Sequence, residues 1–379
     1  MLNLKFIKIL IFILLCRVLY AEITKEVCEE WISNTLVSSS ESSIKIYILE
    51  NLQDIPSAKF LPGVKKISLL KTTPENVYLK SLYVLYKVYK STSALEKIAN
   101  FLLQKPKKES SETPLIKAKI YLKNQLRAEA AKMIGELGDE RHLEILSKTV
   151  KDEYGIVSDA SYFALAMLSK RGKIKPLNEL KEFFYSGLKD VDYKVRLKAV
   201  RYLGELRYPD SVGPLSLRLK DTSKEVVVET IISLGKVGDV SVLQDLLQFK
   251  NSQEDAYRVA LAEALGSLAE VLVISSKDTS VMDKIRNVLN SLMNDPNGMV
   301  RVTAAAALLR ISDRSGIEVI KKGLESIDTD VILYCIKSLG NYGNFQDIKL
   351  IEKFTQHNDL LIQTYAYVSI LKIYYKERK

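Results

Sequence analysis

Apolar residues in the body of this chain recur three and four positions apart. Across residues 195–206 they fall at Val195, Ala199, Val200 and Leu203, the spacing of one face of an α-helix. The same kind of segment returns at 127–139, 226–239, 257–266, 300–309 and 331–343. Equivalent positions lie near 127, 161, 196, 227, 258, 301 and 332, so the period is 31 to 35 residues with a single gap of 43. A period of this length predicts one helical hairpin per repeat, and such hairpins bury both faces only by stacking on one another. Each unit reads as a helix broken by Gly or Gly-Asp, followed at once by a second helix, as at 240–249. Asp190, Asp221, Asp295 and Asp328 precede the next pair and are expected to cap it. Small Ala199, Ala262 and Ala305 permit close approach of neighbouring helices. The expected fold is all-α: a right-handed α-solenoid of stacked antiparallel helix pairs, with its first and last pairs far apart.

The pattern is weaker before residue 124. Residues 44–52 with 58–70, and 77–89 with 94–103, read as two degenerate pairs, and Tyr47 and Tyr78 are again 31 apart. Residues 104–114, with Lys105-Pro106-Lys107-Lys108 and Pro114, read as a linker or exposed loop. The gap of 43 predicts a longer helix near Val271 and a loop around Ser275, Ser276, Lys277 and Asp278. Residues 360–375 read as a final capping helix. The organisation is therefore 1–21, a leader; 22–123, a helical region of degenerate repeats; 124–358, the repeat solenoid; and 359–379, cap and tail.

The leader is read from its order of charges. Lys5 and Lys8 precede an apolar run at 9–15, Arg17 interrupts it, and Ala21 precedes Glu22. That run is about half of what a bilayer crossing needs. The order is that of a secretory signal peptide cleaved after Ala21. The alternatives are a lipoprotein through Cys16, a retained amino-terminal anchor and a hydrophobic first helix of a cytosolic protein. Export places the chain in a bacterial periplasm or cell envelope.

The segments resemble HEAT repeats of the short bacterial phycobilisome-lyase-like class. The resemblance rests on Val-Arg-x-x-Ala-x-x-x-Leu-Gly, seen at Val195, Arg196, Ala199, Leu203 and Gly204, and on the Gly238-Asp239 that ends a related segment. It covers about 124–355, and it implies the fold while saying almost nothing of activity. In related solenoids the repeated arginine sits between repeats beside acidic groups. Carried over, this makes Arg127, Arg196, Arg258 and Arg301 a structural ladder, with Asp139 and Asp239 as its carboxylates. Dinuclear iron hydroxylases built from HEAT repeats need several His-Glu pairs, and this sequence has none of them.

Composition narrows the functional classes. The 379 residues are 47% hydrophobic, which allows a large core, and three cysteines do not make a disulfide scaffold. Cys28 and Cys335, the two left after cleavage, are expected to stay unbridged because they belong to opposite ends of the stack. Net charge is +10, of which Lys5, Lys8 and Arg17 supply three, leaving +7 after cleavage. Such a balance suits an anionic surface or an acidic partner. Export argues against nucleic acid. Tyr78, Tyr83, Tyr86 and Tyr89 on one helix, and Lys105, Lys107 and Lys108 with Lys117, Lys119 and Lys123, are candidate partner-binding groups; the bland alternatives are core packing and a solvated face. Tyr365, Tyr367, Tyr374 and Tyr375 admit the same two readings. No phosphate loop, nucleophile elbow or Cys-pair metal spacing is present. The sequence thus points to a non-enzymatic scaffold or adaptor for another protein, with no cofactor and no small-molecule substrate. The rivals are an enzyme with a concave-face carboxylate pocket and an adaptor for anionic lipid or peptidoglycan.

Overall fold

The computed structural model describes residues 23–106, 113–175, 179–275 and 279–376. These residues form twenty α-helices and no strand. The leader, Lys107, Lys108 and part of the predicted loop at 275–278 lie outside them. The helices make ten pairs, each an outer helix followed by an inner one. The outer helices are α1 (Lys25–Ser38), α3 (Leu61–Leu69), α5 (Thr92–Leu103), α7 (Leu143–Thr149), α9 (Glu179–Gly187), α11 (Val212–Ser216), α13 (Leu243–Leu247), α15 (Thr279–Leu292), α17 (Ile317–Gly323) and α19 (Ile348–Glu352). The inner helices are α2 (Ser42–Asn51), α4 (Glu75–Lys87), α6 (Pro114–Leu137), α8 (Gly155–Lys170), α10 (Tyr193–Leu206), α12 (Lys224–Val237), α14 (Asp255–Ser275), α16 (Gly298–Arg310), α18 (Thr329–Tyr342) and α20 (Leu360–Lys376). Each inner helix packs on the next inner helix. Their apolar faces build one unbroken core from Cys28 to Ile373. The long helix expected near Val271 is α14.

Two features of the helix ends differ from the sequence reading. The glycine of Leu-Gly does not break the helix: α10 continues past Gly204 and α12 past Gly235. It serves close packing instead. A methyl group on Gly235 would lie 2.5 Å from the Ala264 Cα on α14, so the two backbones touch where a larger residue would hold them apart. Gly135, Gly204, Gly266 and Gly340 meet Ala164, Ser233, Ala307 and Ser369 of the following inner helices in the same way. The glycines that do end helices are Gly138, Gly238 and Gly343, after α6, α12 and α18; Gly238, with a φ of +83°, gives α12 a left-handed cap. The caps are also not the residues expected, Asp328 excepted. Asp192, Ser223 and Asn297 cap α10, α12 and α16, while Asp190, Asp221 and Asp295 stand two residues earlier.

The solenoid closes on itself. Helix α20 is not a cap facing solvent; it lies between α18 and the first pair, α1 and α2. Trp31 stacks on Tyr367 with ring centres 4.2 Å apart, and Tyr47 on Tyr365 at 3.8 Å. The Tyr374 hydroxyl donates to the Ile23 carbonyl (2.8 Å), and that of Tyr375 to Glu29 Oε1 (2.6 Å). Glu29 is buried and also meets Lys59 Nζ at 2.8 Å. Burial pushes its carboxyl up, but the hydrogen bonds from Lys59, Tyr375 and Ser57 outweigh this and hold it below its ordinary value. Lys372 reaches Asp54 at 2.8 Å and Asn341 Oδ1 at 2.6 Å, tying both neighbours to α20. The four carboxy-terminal tyrosines therefore bind the chain's own first helices. The ends of the stack are neighbours, which corrects the premise used above for the cysteines. Cys28 and Cys335 are free, buried thiols, each pushed up to about 12 by burial, and at Cys28 also by Glu29. Such thiols are poor nucleophiles.

Two outcomes follow from this packing. Gly235→Ala should destabilise the protein by about 1–3 kcal/mol in urea denaturation, despite an intrinsic helix gain of about 1 kcal/mol, because the added methyl has nowhere to go. Trp31→Ala combined with Tyr47→Ala should raise the radius of gyration in small-angle scattering while far-UV circular dichroism stays near that of the parent, with a loss of at least about 1 kcal/mol per stack. An unchanged radius would mean that the seam is held elsewhere.

Candidate interaction surface and the joints that shape it

Three of the four repeated arginines tie their inner helix to the turn that leads into the next. Arg127 is 1% exposed, and its guanidinium meets both oxygens of Asp152, Nη1 at 3.3 Å and Nη2 at 2.6 Å. Its remaining donors go to the Leu102 carbonyl (2.8 Å) and Asn124 Oδ1 (2.9 Å). Arg196 forks onto Asp221 at 2.8 and 2.7 Å, and Arg258 onto Asp295 at 2.7 and 3.0 Å. This bidentate geometry suits a guanidinium and not an ammonium. Arg301 differs: it donates to the Asp295 and Pro296 carbonyls and pairs with no carboxylate among the described residues. Asp139 and Asp239 are not the partners. Asp139 meets Arg141 and caps the turn before α7, and Asp239 caps the turn before α13. Their place after the inner helix puts them at its far end, a helix length from the arginine. The true partners are Asp152, which the sequence had not singled out, and Asp221 and Asp295, which were expected to be caps. Asp152 and Asp221 each follow their arginine by 25 residues, a spacing that would have given them away.

Burial by itself pushes the Asp152, Asp221 and Asp295 carboxyls up. Hydrogen bonds from the arginines and from the backbone amides of Tyr154, Ser223 and Asn297 more than offset this, so all three sit below the ordinary value. A depressed carboxyl contributes stability above its unfolded pKa of about 3.9 and loses it as pH falls through the lower folded value.

The concave side of the ring carries charge in both signs. Lys80 lies between Glu50 of the preceding inner helix (3.1 Å) and Glu129 of the following one (3.6 Å). Lys87 and the Tyr83 hydroxyl both meet Glu136, the latter at 2.7 Å. Arg201 meets Glu229 at 2.8 Å, Lys236 meets Glu205 at 2.5 Å, and Arg310 meets Glu270 at 2.5 Å. Most of these groups are part exposed, so each pair contributes at most about 1 kcal/mol. Residues of α2, α4, α6, α8 and α10 line one cavity of about 750 Å³, which places their polar edges on a shared concave wall. Lys132 projects from α6 into this wall, its ammonium 5.4 Å from the centre of the Tyr202 ring. Burial lowers its pKa, partly opposed by Glu129.

The four tyrosines separate by role, and they do not share one helix: α4 ends at Lys87, so Tyr89 lies just beyond it. Tyr83 belongs to the concave wall, and Tyr89 donates to the Ser57 carbonyl at 2.8 Å. Tyr78 packs near Phe101. Tyr86 lines a groove with Leu95, Arg141, His142 and Ile145. They do not form a single stripe: Tyr78, Tyr83 and Tyr86 each meet a different neighbour, and Tyr89 lies past the end of the helix. Of the lysines, Lys105 pairs with Glu153 (3.2 Å) and Lys123 with Glu75 (2.6 Å). Among the described residues no group of three or more His, Cys, Asp or Glu is arranged to hold a metal ion.

With this geometry in view, the relationships to known proteins are narrow. A family model for HEAT repeats matches residues 180–266, from α9 into α14. No curated protein matches the chain. Human deoxyhypusine hydroxylase is similar at 18% identity over 76% of this chain and 98% of its own, with a TM-score of 0.33. The karyopherin Kap95p, in a structure that describes its binding to RanGDP, is similar at 11% identity over 91% of this chain, with a TM-score of 0.41; this chain spans half of that one. Neither overlay is close enough to carry an argument about function. What stands is an all-α, HEAT-like solenoid of paired helices, a fold suited to binding other proteins.

Replacing Arg127 by Met should cost about 3–5 kcal/mol, because Asp152 is left buried without its partner. Arg301→Met, which removes only bonds to carbonyls, should cost about 1 kcal/mol. Urea denaturation at neutral pH separates the two. The acid limb of the stability curve, below about pH 4, should flatten in Asp152→Asn.

Proposed function

We propose that this protein is a non-enzymatic scaffold, exported to the periplasm or cell envelope, that holds a segment of another protein in its ring. The carrying observation is the concave wall to which successive inner helices bring lysine, arginine and glutamate into one cavity. A polypeptide with charges of both signs finds complementary groups at many depths along such a wall. The cavity carboxylates are already engaged across helix joints: Glu50 and Glu129 with Lys80, Glu136 with Lys87, and Glu205 with Lys236. That use as structural ties argues for a binding wall over a set of acid and base catalysts. The charge order of residues 1–21 supports export, with Glu22 as the first residue of the mature chain.

A photoreactive residue at Glu205 or Glu136, which line the concave cavity, should crosslink in intact cells to one stoichiometric protein. The same residue at Glu144 on the outer helix α7 should not. Intact-mass analysis of the envelope fraction should give a chain beginning at Glu22. Lumen positions that capture nothing, together with turnover of a small substrate, would reject the scaffold reading.

A further inference from the structure

Helix α6 runs for 24 residues, but its first buried residue is Asn124. The ten residues before it, 114–123, span about 15 Å and stand clear of the core. At 100° per residue their side chains sort into distinct strips. Ile116, Ile120 and Lys123 share one side and are half-buried. On the other side Leu115, Ala118 and Leu122 form an outward stripe, with Leu115 65% and Leu122 61% exposed. Tyr121, also 61% exposed, stands at one edge. Lys119 flanks the stripe on one side; on the other Tyr121 borders it, with Lys117 farther round. No acid occurs between Pro114 and Ala128. Leucines so exposed on a folded surface call for a partner.

We infer that residues 114–123 form an interfacial element that docks the ring on an anionic bilayer. The occupant follows from the order of the side chains. An apolar stripe with a lysine on one flank and a tyrosine on the other, in a segment without acids, is what a lipid surface receives: the leucines enter the acyl boundary, and the Lys119 stem runs along it while its ammonium reaches lipid phosphate. The inner helices run parallel, so their amino-terminal ends share one rim of the ring. That rim also presents Val191, 98% exposed, in the turn before α10, and Ile327, fully exposed, in the turn before α18. The bilayer therefore faces the rim, and the lumen stays open to a protein.

Sedimentation of the full chain with lipid vesicles tests this. Vesicles of phosphatidylcholine with about 30% phosphatidylglycerol should bind it in about 50 mM salt and release much of it in about 300 mM, whereas pure phosphatidylcholine should bind at least about tenfold more weakly. Leu115→Ser with Leu122→Ser should weaken binding about tenfold, and Lys119→Gln about fivefold, with helix content and melting temperature unchanged. The apolar run at 9–15 is common to every variant, so the difference between variants is what is read. A double-serine variant that binds anionic vesicles like the parent would overturn the assignment. So would an absence of vesicle binding together with self-association that the double-serine variant abolishes, which would make the stripe a contact between two copies.

Discussion

Direct backbone contact between consecutive inner helices is the constraint on which the rest depends. Glycines at 135, 204, 235, 266 and 340 each meet an alanine or serine of the following inner helix. Inner helices can therefore come closer than ordinary side chains allow, while the outer helices wedge between them on the far side. A stack that is tight on one face and spread on the other must curve toward the tight face. Repeated around ten pairs, the curvature brings α20 onto α1 and α2.

Closure changes what the terminal pairs have to do. An open stack needs polar caps at both ends. Here the last inner helix keeps apolar and aromatic residues on both flanks, and the first pair supplies the matching rings and a buried carboxylate at Glu29. The arginine–aspartate pairs serve a different purpose. Burying them gains little net energy, but their forked geometry fixes one arrangement between successive repeats. Small angular errors would otherwise accumulate and leave the two ends apart. Arg301, with no carboxylate, marks a joint without this tie.

The division of surfaces follows from the same architecture. Carboxylates and ammonium groups face the lumen because the inner helices turn their polar edges there. Outer helices contribute the convex side. The amino-terminal overhang of α6 belongs to neither face and rises from one rim.

Much of this was legible in the chain itself. Periodicity at three and four positions gave the helices, and the recurrence near 31 residues gave their stacking in pairs; before residue 124 it gave helices at 44–52, 58–70, 77–89 and 94–103 but not the partner of the first, α1. The gap of 43 marked the long α14. These are local properties, since helix formation and one buried face per helix are set by residues close in sequence. The partners of Arg127, Arg196 and Arg258 were at the edge of legibility: the aspartates recur in register, but Asp139 and Asp239 also lie nearby, and only distance in space separates them. Ring closure was out of reach, because the contact of Trp31 with Tyr367 depends on curvature summed over all the intervening joints. The sequence determined that the helices would pair and stack; the tertiary structure alone decided that the stack would meet its own beginning.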